Sequence, residues 1–214
     1  MVIPNSVVTY AKRETGDDFV FLHLLEPHML GELYVNSVLL LLERLGVQRY
    51  CLLGSMYDMV PHTRPLLVTG GATDKHTLEV LERAEVRPSD YEGPTTIAYL
   101  ISQQAPKVGI ETMSLIVHLP QYTQLDEDYV GQVRLLEVLC SLYNLPVNDN
   151  DIQKAEQQRK GIDIAVDKNP QVKAVLAQLE AHYDARMVTR KEEEMPPLSP
   201  EIERFLKEME KRFR

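Results

Sequence analysis

The residues best suited to chemistry lie in one short segment, Leu52 to Gly71, with the sequence LLGSMYDMVPHTRPLLVTGG. Within it, Asp58, His62 and Arg64 are close together along the chain. A carboxylate that orients a histidine can produce a general base, and an arginine can bind an anion through two parallel hydrogen bonds. The same side chains can instead hold the loop in shape. Both hypotheses, a ligand or catalytic site and a structural loop, remain open at this point.

Hydroxyl groups accompany these side chains. Thr63 and Tyr57 could bind a ligand, and Ser55 directly follows an apolar run, where a nucleophile can be placed. A nucleophile elbow requires Gly-x-Ser-x-Gly, and this pattern is not met around Ser55. Because no complete catalytic motif is found, the sequence favours a protein that is not an enzyme.

The histidines are scattered along the chain, and no His-x-x-x-His or Cys-x-x-Cys spacing occurs. We therefore expect no metal and no cofactor. His118 lies near the end of a predicted strand in IVHLPQY and is either a ligand contact or a buried, hydrogen-bonded side chain. Cys51 and Cys140 lie in apolar surroundings, where buried thiols are expected rather than a disulfide.

Two further loops could present backbone amides to an anion. Gly70 and Gly71 precede a predicted helix, but the segment matches neither the Walker pattern nor Gly-x-Gly-x-x-Gly, and a turn that needs positive φ is the alternative. The segment YEGPTT could bind a ligand or cap a helix. Its candidate residues are Tyr91, Glu92, Gly93 and Thr95.

The elements that must position these residues alternate between strand and helix. Strands are predicted at residues 17–25, 48–56, 65–71 and 110–119, and helices at residues 28–46, 74–86, 94–105 and 126–146. The first strand, first helix and second strand are predicted to form a βαβ unit. Such alternation favours a mostly parallel sheet with helices on both faces, a three-layer αβα architecture.

Beyond residue 146 the strand patterns cease. We expect an α/β core at 1–146 and a helical extension at 147–188 in which two helices are separated near Asn169 and Pro170. A charged linker at 189–198 precedes a terminal amphipathic helix at 199–214. Its apolar stripe, which would cover the core or bind a partner, comprises Ile202, Phe205, Leu206 and Met209.

Composition excludes several classes of protein. A net charge of −9 would repel a phosphate backbone, so nucleic acid is not an expected partner. The longest apolar stretch, Ser37 to Leu42, is far shorter than the roughly 20 residues that span a bilayer, and no signal segment opens the chain. We expect a cytoplasmic protein without a membrane span.

Several motifs together resemble the bacterial and archaeal members of the proteasome assembly chaperone 2 family. The family's ADVPHTRP-V-VTG loop is similar to residues 57–70, its YEGPTGI loop to residues 91–97, and its SLWA-VPHYV strand end to residues 114–123. The motifs occur in the family's order, and the resemblance runs from about Phe19 to Tyr143 and returns in SPEIERFLKEME.

This resemblance implies an α/β fold like that of the phosphorylase and hydrolase group, self-association that is trimeric in some bacterial members, and an ATP-independent assembly chaperone. Asp58, His62, Thr63, Arg64 and His118 would then belong to the family's signature loops. The alternative is a protein that binds or hydrolyses a small nucleoside-like or anionic ligand at those loops.

Three features depart from the family pattern. The family's longer N-terminal section with its GW-DAG motif is not found, which predicts a short variant or one without that rim of the site. His118 precedes LPQY where the family often has a His-Tyr pair. The chain ends in Arg212-Phe213-Arg214, whereas archaeal assembly chaperones dock through a hydrophobic-Tyr-any tripeptide, so docking through this tripeptide is not expected.

Overall fold

The computed structural model describes residues 6–89, 91, 93, 95–146, 148–188 and 204. Within them the chain has an α/β fold, as the sequence predicts. The strands are β1 (Val7–Ala11), β2 (Phe19–His23), β3 (Arg49–Asp58), β4 (Val68–Ala72) and β5 (Glu111–Pro120). The helices are α1 (Gly31–Arg44), α2 (Lys75–Arg83), α3 (Ile97–Gln104), α4 (Tyr129–Tyr143), α5 (Asp149–Asp167) and α6 (Pro170–Val188).

The first two strands form a small sheet of their own. β1 pairs with β2 in antiparallel register, from Val7 opposite His23 to Ala11 opposite Phe19. The predicted βαβ unit is therefore wrong, because the strand partner of β2 is β1 and β3 lies in another sheet. The sequence analysis does not predict β1. The turn that joins β1 to β2 contains Gly16, whose φ of 85° favours glycine.

The other three strands form a mixed sheet in the order β3-β5-β4. The N–H of Glu111 donates to the carbonyl of Gln48, and the N–H of Gln121 to that of Asp58, so residue numbers rise together and β3 and β5 are parallel. The N–H of His118 donates to the carbonyl of Leu67, and that of Thr73 to the carbonyl of Thr112. In this second pair the residue numbers rise along β4 while they fall along β5, so β4 is antiparallel to β5.

The chain divides into two compact units. The first comprises the described residues of Met1–Leu53, Gly70–Leu115 and Leu139–Leu145, and the second those of Gly54–Thr69, Ile116–Val138 and Pro146–Arg214. The first unit has an apolar core built on the buried face of α1 and on α3; its members include Val35, Val38, Leu39, Leu42, Tyr50, Ile97 and Ile101. The second unit has smaller clusters, which join α6 to the segment after β3.

Helix ends follow from local sequence. Asp74 caps α2 by accepting a hydrogen bond from the N–H of Thr77, and Thr96 caps α3 by accepting one from the N–H of Tyr99. The predicted break between two C-terminal helices is confirmed, since α5 ends at Asp167 and α6 begins at Pro170, whose ring suits a first helical turn. No helix in the described part of the chain is long and apolar enough to cross a membrane.

Both cysteines are free, partly buried thiols. Burial raises the pKa of the Cys51 thiol to about 12, so it stays protonated and unreactive at neutral pH.

Candidate functional site

The β3–β4 loop, residues 59–67, lies in the second unit together with the end of β3, the end of β5 and helices α5 and α6. It follows Asp58, the last residue of β3, and it contains His62, Thr63 and Arg64. The geometry around it is built from three groups of polar contacts, each of which ties the loop or its flanking strands to another element.

Asp58 lies at the centre of the first group. Its Oδ2 atom accepts a hydrogen bond from His118 Nδ1 at 2.7 Å and one from Arg186 Nη1 at 3.0 Å, while Oδ1 accepts from the N–H of Met59 at 2.7 Å. Burial raises the pKa of Asp58, but the hydrogen bonds from His118, Met59 and Arg186 outweigh burial and hold that pKa well below its ordinary value. The carboxylate is therefore ionised at neutral pH.

His118 extends this group to Thr69. Because the ionised carboxylate of Asp58 can only accept, we assign the proton of a neutral His118 to Nδ1, and Nε2 then accepts from the hydroxyl of Thr69 at 2.9 Å. Both His118 and Thr69 are 4% exposed. The order carboxylate, imidazole, hydroxyl is that of a hydrolytic triad, but here the hydroxyl is buried in β4.

His62 forms the second group. Its backbone N–H donates to Tyr122 Oη at 2.8 Å, and its Nδ1 lies 2.5 Å from the same hydroxyl. Burial raises the pKa of Tyr122, so the hydroxyl stays protonated and donates to Nδ1. Nε2–H of His62 then donates to Asp163 of α5 at 3.0 Å. His62 is 4% exposed and uses both ring nitrogens inside the protein.

Arg64 and Thr63 form the third group, on α6. Arg64 donates to both carboxylate oxygens of Asp184, from Nε at 2.9 Å and Nη2 at 2.8 Å, and its Nη1 reaches Glu180 at 3.3 Å. Thr63 Oγ1 donates to the same Glu180 oxygen at 2.6 Å. The hydrogen bonds from Arg64 lower the pKa of Asp184. Glu180 and Asp184 are one turn apart, so both carboxylates face the loop.

Apolar contacts run alongside these polar groups. Tyr183, between the two carboxylates in the sequence, packs with Val60 and Leu67 and donates its hydroxyl hydrogen to the carbonyl of Pro65 at 2.7 Å. Met59 packs with Tyr122 against a cluster that contains Leu179 of α6. The loop is thus fixed to α6 by ion pairs, hydrogen bonds and buried apolar area at once.

These contacts place the predicted loop residues in two sets. Asp58 and His118 lie together, and His62, Thr63 and Arg64 each contact α5 or α6. Each of these side chains already has a partner within the second unit. What the arrangement can do directly is hold a helical hairpin against a strand end.

The remaining predicted site residues lie elsewhere. Tyr91, Gly93 and Thr95 belong to the first unit and are exposed. A Cβ atom at Gly93 would overlap the ring and hydroxyl of Tyr91, an exposed side chain that can move aside. Thr96, beside Thr95, caps α3. Glu92 and the predicted partner-binding residues lie outside the described residues; the latter are Ile202, Phe205, Leu206 and Met209.

Sequence reasoning missed the side chains that contact Asp58, His118 and the β3–β4 loop. They are Thr69, Tyr122, Asp163, Glu180, Tyr183, Asp184 and Arg186. A signal for part of this set exists in EAHYDAR: two acidic residues four positions apart flank a tyrosine on one helix face, which suits a cationic loop. No signal of that kind marks Asp163 or Tyr122.

No group of three or more His, Cys, Asp or Glu side chains among the described residues is placed to hold a metal ion. A cleft of about 550 Å³ lies in the first unit. It is lined by Glu43, Gly46, Val47, Gln48, Val108, Gly109, Ile110 and Glu111, none of which belongs to the predicted site.

Comparison with known proteins identifies the family. The model of the PAC2 family matches residues 2–165 of this sequence, which includes both signature loops and the end of β5. The chain belongs to the PAC2 family. None of the curated proteins searched matches the chain.

Solved structures show the same fold. A protein of unknown function from Corynebacterium glutamicum ATCC 13032 is similar with a TM-score of 0.69 and 22% identity, covering 79% of this chain and 62% of that one. A protein of unknown function from Mycobacterium tuberculosis has a TM-score of 0.69 and 27% identity, covering 85% and 67%. A proteasome-assembly chaperone homologue from Mycobacterium tuberculosis has a TM-score of 0.68 and 20% identity, covering 79% and 71%.

This PAC2 chain thus spans less than two thirds of the length of the first of these proteins.

Proposed function

We propose that this PAC2 chain is a non-enzymatic assembly chaperone or protein-interaction factor, which associates with itself through its α/β core and binds a protein partner with its C-terminal helices. It needs no nucleotide for this activity. Membership of the PAC2 family supports the proposal, and so does the similarity to a protein described as a proteasome-assembly chaperone homologue.

The observation that carries the proposal is that polar side chains of the β3–β4 loop bind α5 and α6. Asp58, His62 and Arg64 are the side chains best suited to catalysis or ligand binding. They form hydrogen bonds with residues on β5, α5 and α6, respectively. A catalytic or ligand-binding arginine must present its guanidinium to the ligand. The guanidinium of Arg64 instead donates two hydrogen bonds to the carboxylate of Asp184. The loop serves to fix α5 and α6 rigidly, which suits a helical surface that a partner recognises.

Proteasome core-particle subunits are the first partner to test, because similar proteins are named for proteasome assembly. The sequence places an apolar stripe after the charged linker, where Phe205 and Leu206 are adjacent. A stripe of this kind on an amphipathic helix binds by burying its apolar side chains in a partner's groove.

The experiment compares binding of purified proteasome α subunits to the full chain and to a chain that ends at Leu198. We expect the full chain to retain the α subunits and the shortened chain to lose them. In the full chain, Phe205→Ala with Leu206→Ala should weaken binding, whereas the matched pair Lys207→Ala with Glu208→Ala should not. Equal recovery with all four proteins would count against the helical C-terminal surface, and no recovery by the full chain would overturn the proteasome assignment.

The alternative function is binding or hydrolysis of a small anionic or nucleoside-like ligand around Asp58, His62 and Arg64. The order Asp58, His118, Thr69 favours it, since a histidine oriented by a carboxylate can activate a hydroxyl. The test is turnover of p-nitrophenyl acetate by the purified chain and by its Thr69→Ala variant. Turnover that disappears in the variant would establish the alternative, and equal background rates would exclude this hydroxyl as a nucleophile.

A further inference from the structure

β1 is unusual because all five of its residues are exposed although most are apolar. Val7 is 48% exposed, Val8 42% and Tyr10 61%. Strands that build a one-sided sheet normally bury alternate residues, so an apolar strand exposed at every position is a surface that a partner can cover.

The small sheet also has too few strands to be stable by itself. Two-stranded ribbons are marginal in water and gain stability from a third strand or a packed helix. β2 has such support within the first unit, since Leu22 packs against the core and the ring of Phe19 meets that of Tyr143 edge-on at 5.4 Å. β1 has its ladder to β2, and among the described residues no strand pairs with its other edge.

That outer edge is chemically suited to another strand. Residues 7–11 contain no charge and no proline, the two devices by which proteins block open edges. Charged residues begin only at Lys12.

We propose that β1 pairs with β1 of a second copy of this chain, antiparallel, about a twofold axis at Thr9. Only this register overlaps all five residues of both strands. It places Thr9 opposite Thr9 of the partner subunit and Val8 opposite Tyr10 of the partner subunit. Thr-Thr and aromatic with β-branched pairs are favourable across antiparallel strands. The result is a four-stranded sheet shared by two chains.

Charges flanking the strand are compatible with this register. Lys12 falls beyond the ladder, opposite Ser6 of the partner subunit, and so meets no like charge. Asp18 accepts the backbone N–H of Arg13 at 2.8 Å and the hydroxyl of Tyr10, which keeps this carboxylate beside its own β1. The proposal rests on the self-association in the proposed function and names the surface responsible for it.

The experiment uses the twofold axis. Sedimentation velocity of the full chain over a range of concentrations should show a dimer or an even-numbered assembly of dimers. Thr9→Lys places two ammonium groups directly opposite each other, and Thr9→Glu places two carboxylates there, so each should raise the dissociation constant of the dimer about two- to fivefold. An equimolar mixture of the two variants pairs lysine with glutamate and should restore association.

His23→Lys is the matched control, because position 23 is exposed on β2 and lies away from the outer edge of β1. It should leave association unchanged, and near-ultraviolet circular dichroism should be the same for all variants. Association that resists both Thr9 substitutions, or is not restored by mixing, would overturn the proposed interface. Binding of proteasome α subunits is scored separately, so that failure of the β1 interface leaves the partner-binding part of the proposed function standing.

A wild-type chain that stays monomeric at every concentration would also overturn the proposal. If in that case Thr9→Lys reduced binding of the α subunits, β1 would belong to an interface with a client strand instead of a second copy.

Discussion

Asp58 accepts hydrogen bonds from a histidine, an arginine and a backbone N–H, and it is the centre of the first of the three groups of polar contacts. The sequence identifies it as a possible orienting carboxylate, and the structure gives it that role toward His118. The hydroxyl at the other end of His118 is buried, so the same geometry that could activate a nucleophile here serves to join β3, β4, β5 and α6. Substitution therefore affects stability first.

Asp58→Asn should lower the free energy of unfolding by roughly 2 to 3 kcal/mol, because it leaves Arg186 and His118 without a charged acceptor in a partly buried site. Urea denaturation at pH 7 measures the change. The matched control is Asp167→Asn, which breaks an exposed pair with Lys173 and should cost less than about 0.5 kcal/mol. Similar small losses for both variants would show that the contacts of Asp58 contribute little.

The stability that Asp58 provides should depend on pH. Its pKa is lower in the folded chain than the ordinary value of about 3.9, so the unfolded chain binds the proton more readily. The contribution is fully present above about pH 5 and is lost as the pH falls through the unfolded pKa toward the folded one. The difference between wild type and Asp58→Asn in urea denaturation should therefore be constant from pH 7 to pH 5 and shrink progressively at pH 4 and pH 3. A constant difference at pH 3 would contradict this.

At the scale of elements, the β3–β4 loop and α6 form one structural pair, and β4 and β5 form another. The first pair is held by side chains, notably the fork of Arg64 on Asp184. The second depends on a missing side chain: a Cβ atom at Gly70 would overlap the carbonyl oxygen of Ser114 in β5, whereas one at Gly71 would meet nothing within 4 Å. A substitution in the first pair should change amide exchange in α6, and a substitution in the second should change the stability of the chain.

Arg64→Lys keeps the charge but removes the two-point contact with Asp184, since an ammonium group cannot reproduce the planar fork. We expect backbone amides near the C-terminal end of α6 to exchange with solvent several-fold faster, while amides of α2 are unaffected. Hydrogen exchange followed by mass spectrometry measures both helices at once. Arg83→Lys, at an exposed position of α2, is the control. Unchanged exchange in α6 would mean that Tyr183 and Arg186 suffice to hold the helix.

Gly70→Ala should destabilise the chain by about 3 kcal/mol or more, because the overlap is with backbone and can be relieved only by separating β4 from β5. Gly71→Ala should change the stability by less than about 1 kcal/mol. Thermal unfolding monitored by circular dichroism compares the two. If both alanine variants unfold at the wild-type temperature, the close approach of the strands does not constrain position 70.

At the scale of the whole molecule, the family match identifies the chain as a PAC2 protein. The contacts within the chain indicate what the β3–β4 loop and the helices do. His62, Thr63 and Arg64 of the β3–β4 loop contact α5 or α6, and the recognition surfaces that we propose are the C-terminal helices and the exposed β1 strand. The terminal amphipathic helix predicted from the sequence then has two possible destinations, its own chain or a partner, and stability distinguishes them.

A chain ending at Leu198 should unfold within about 2 °C of the full chain if residues 199–214 serve a partner, since no core apolar area is lost. Differential scanning calorimetry of both chains measures this. A loss of 1 kcal/mol would shift the midpoint of a chain of this size by about 2 to 4 °C. A drop well beyond that range would show that Ile202, Phe205, Leu206 and Met209 cover the chain's own surface.

Much of the fold could be predicted because it depends on local pattern. Helical spacing of apolar residues placed α1 to α6, and Pro170 separated α5 from α6 at the expected point. The sequence also singled out Asp58, His62, Arg64 and His118 as a group of interest. The βαβ unit was wrong because strand partners are not encoded by the periodicity of one strand: β2 has the same pattern whether it pairs with β3 or with β1.

The sequence by itself determined the α/β class of the chain, its family, its helices α1 to α6 and its strands β2 to β5, since these follow from residue type, spacing and motif. Only the tertiary structure decided what LLGSMYDMVPHTRPLLVTGG does. The side-chain partners of Asp58, His62 and Arg64 lie 60 to 128 positions away, on β5, just after β5, and on α5 and α6. Because ion pairs and hydrogen bonds depend on distances of a few ångströms in space, no local pattern could show that these residues already had partners.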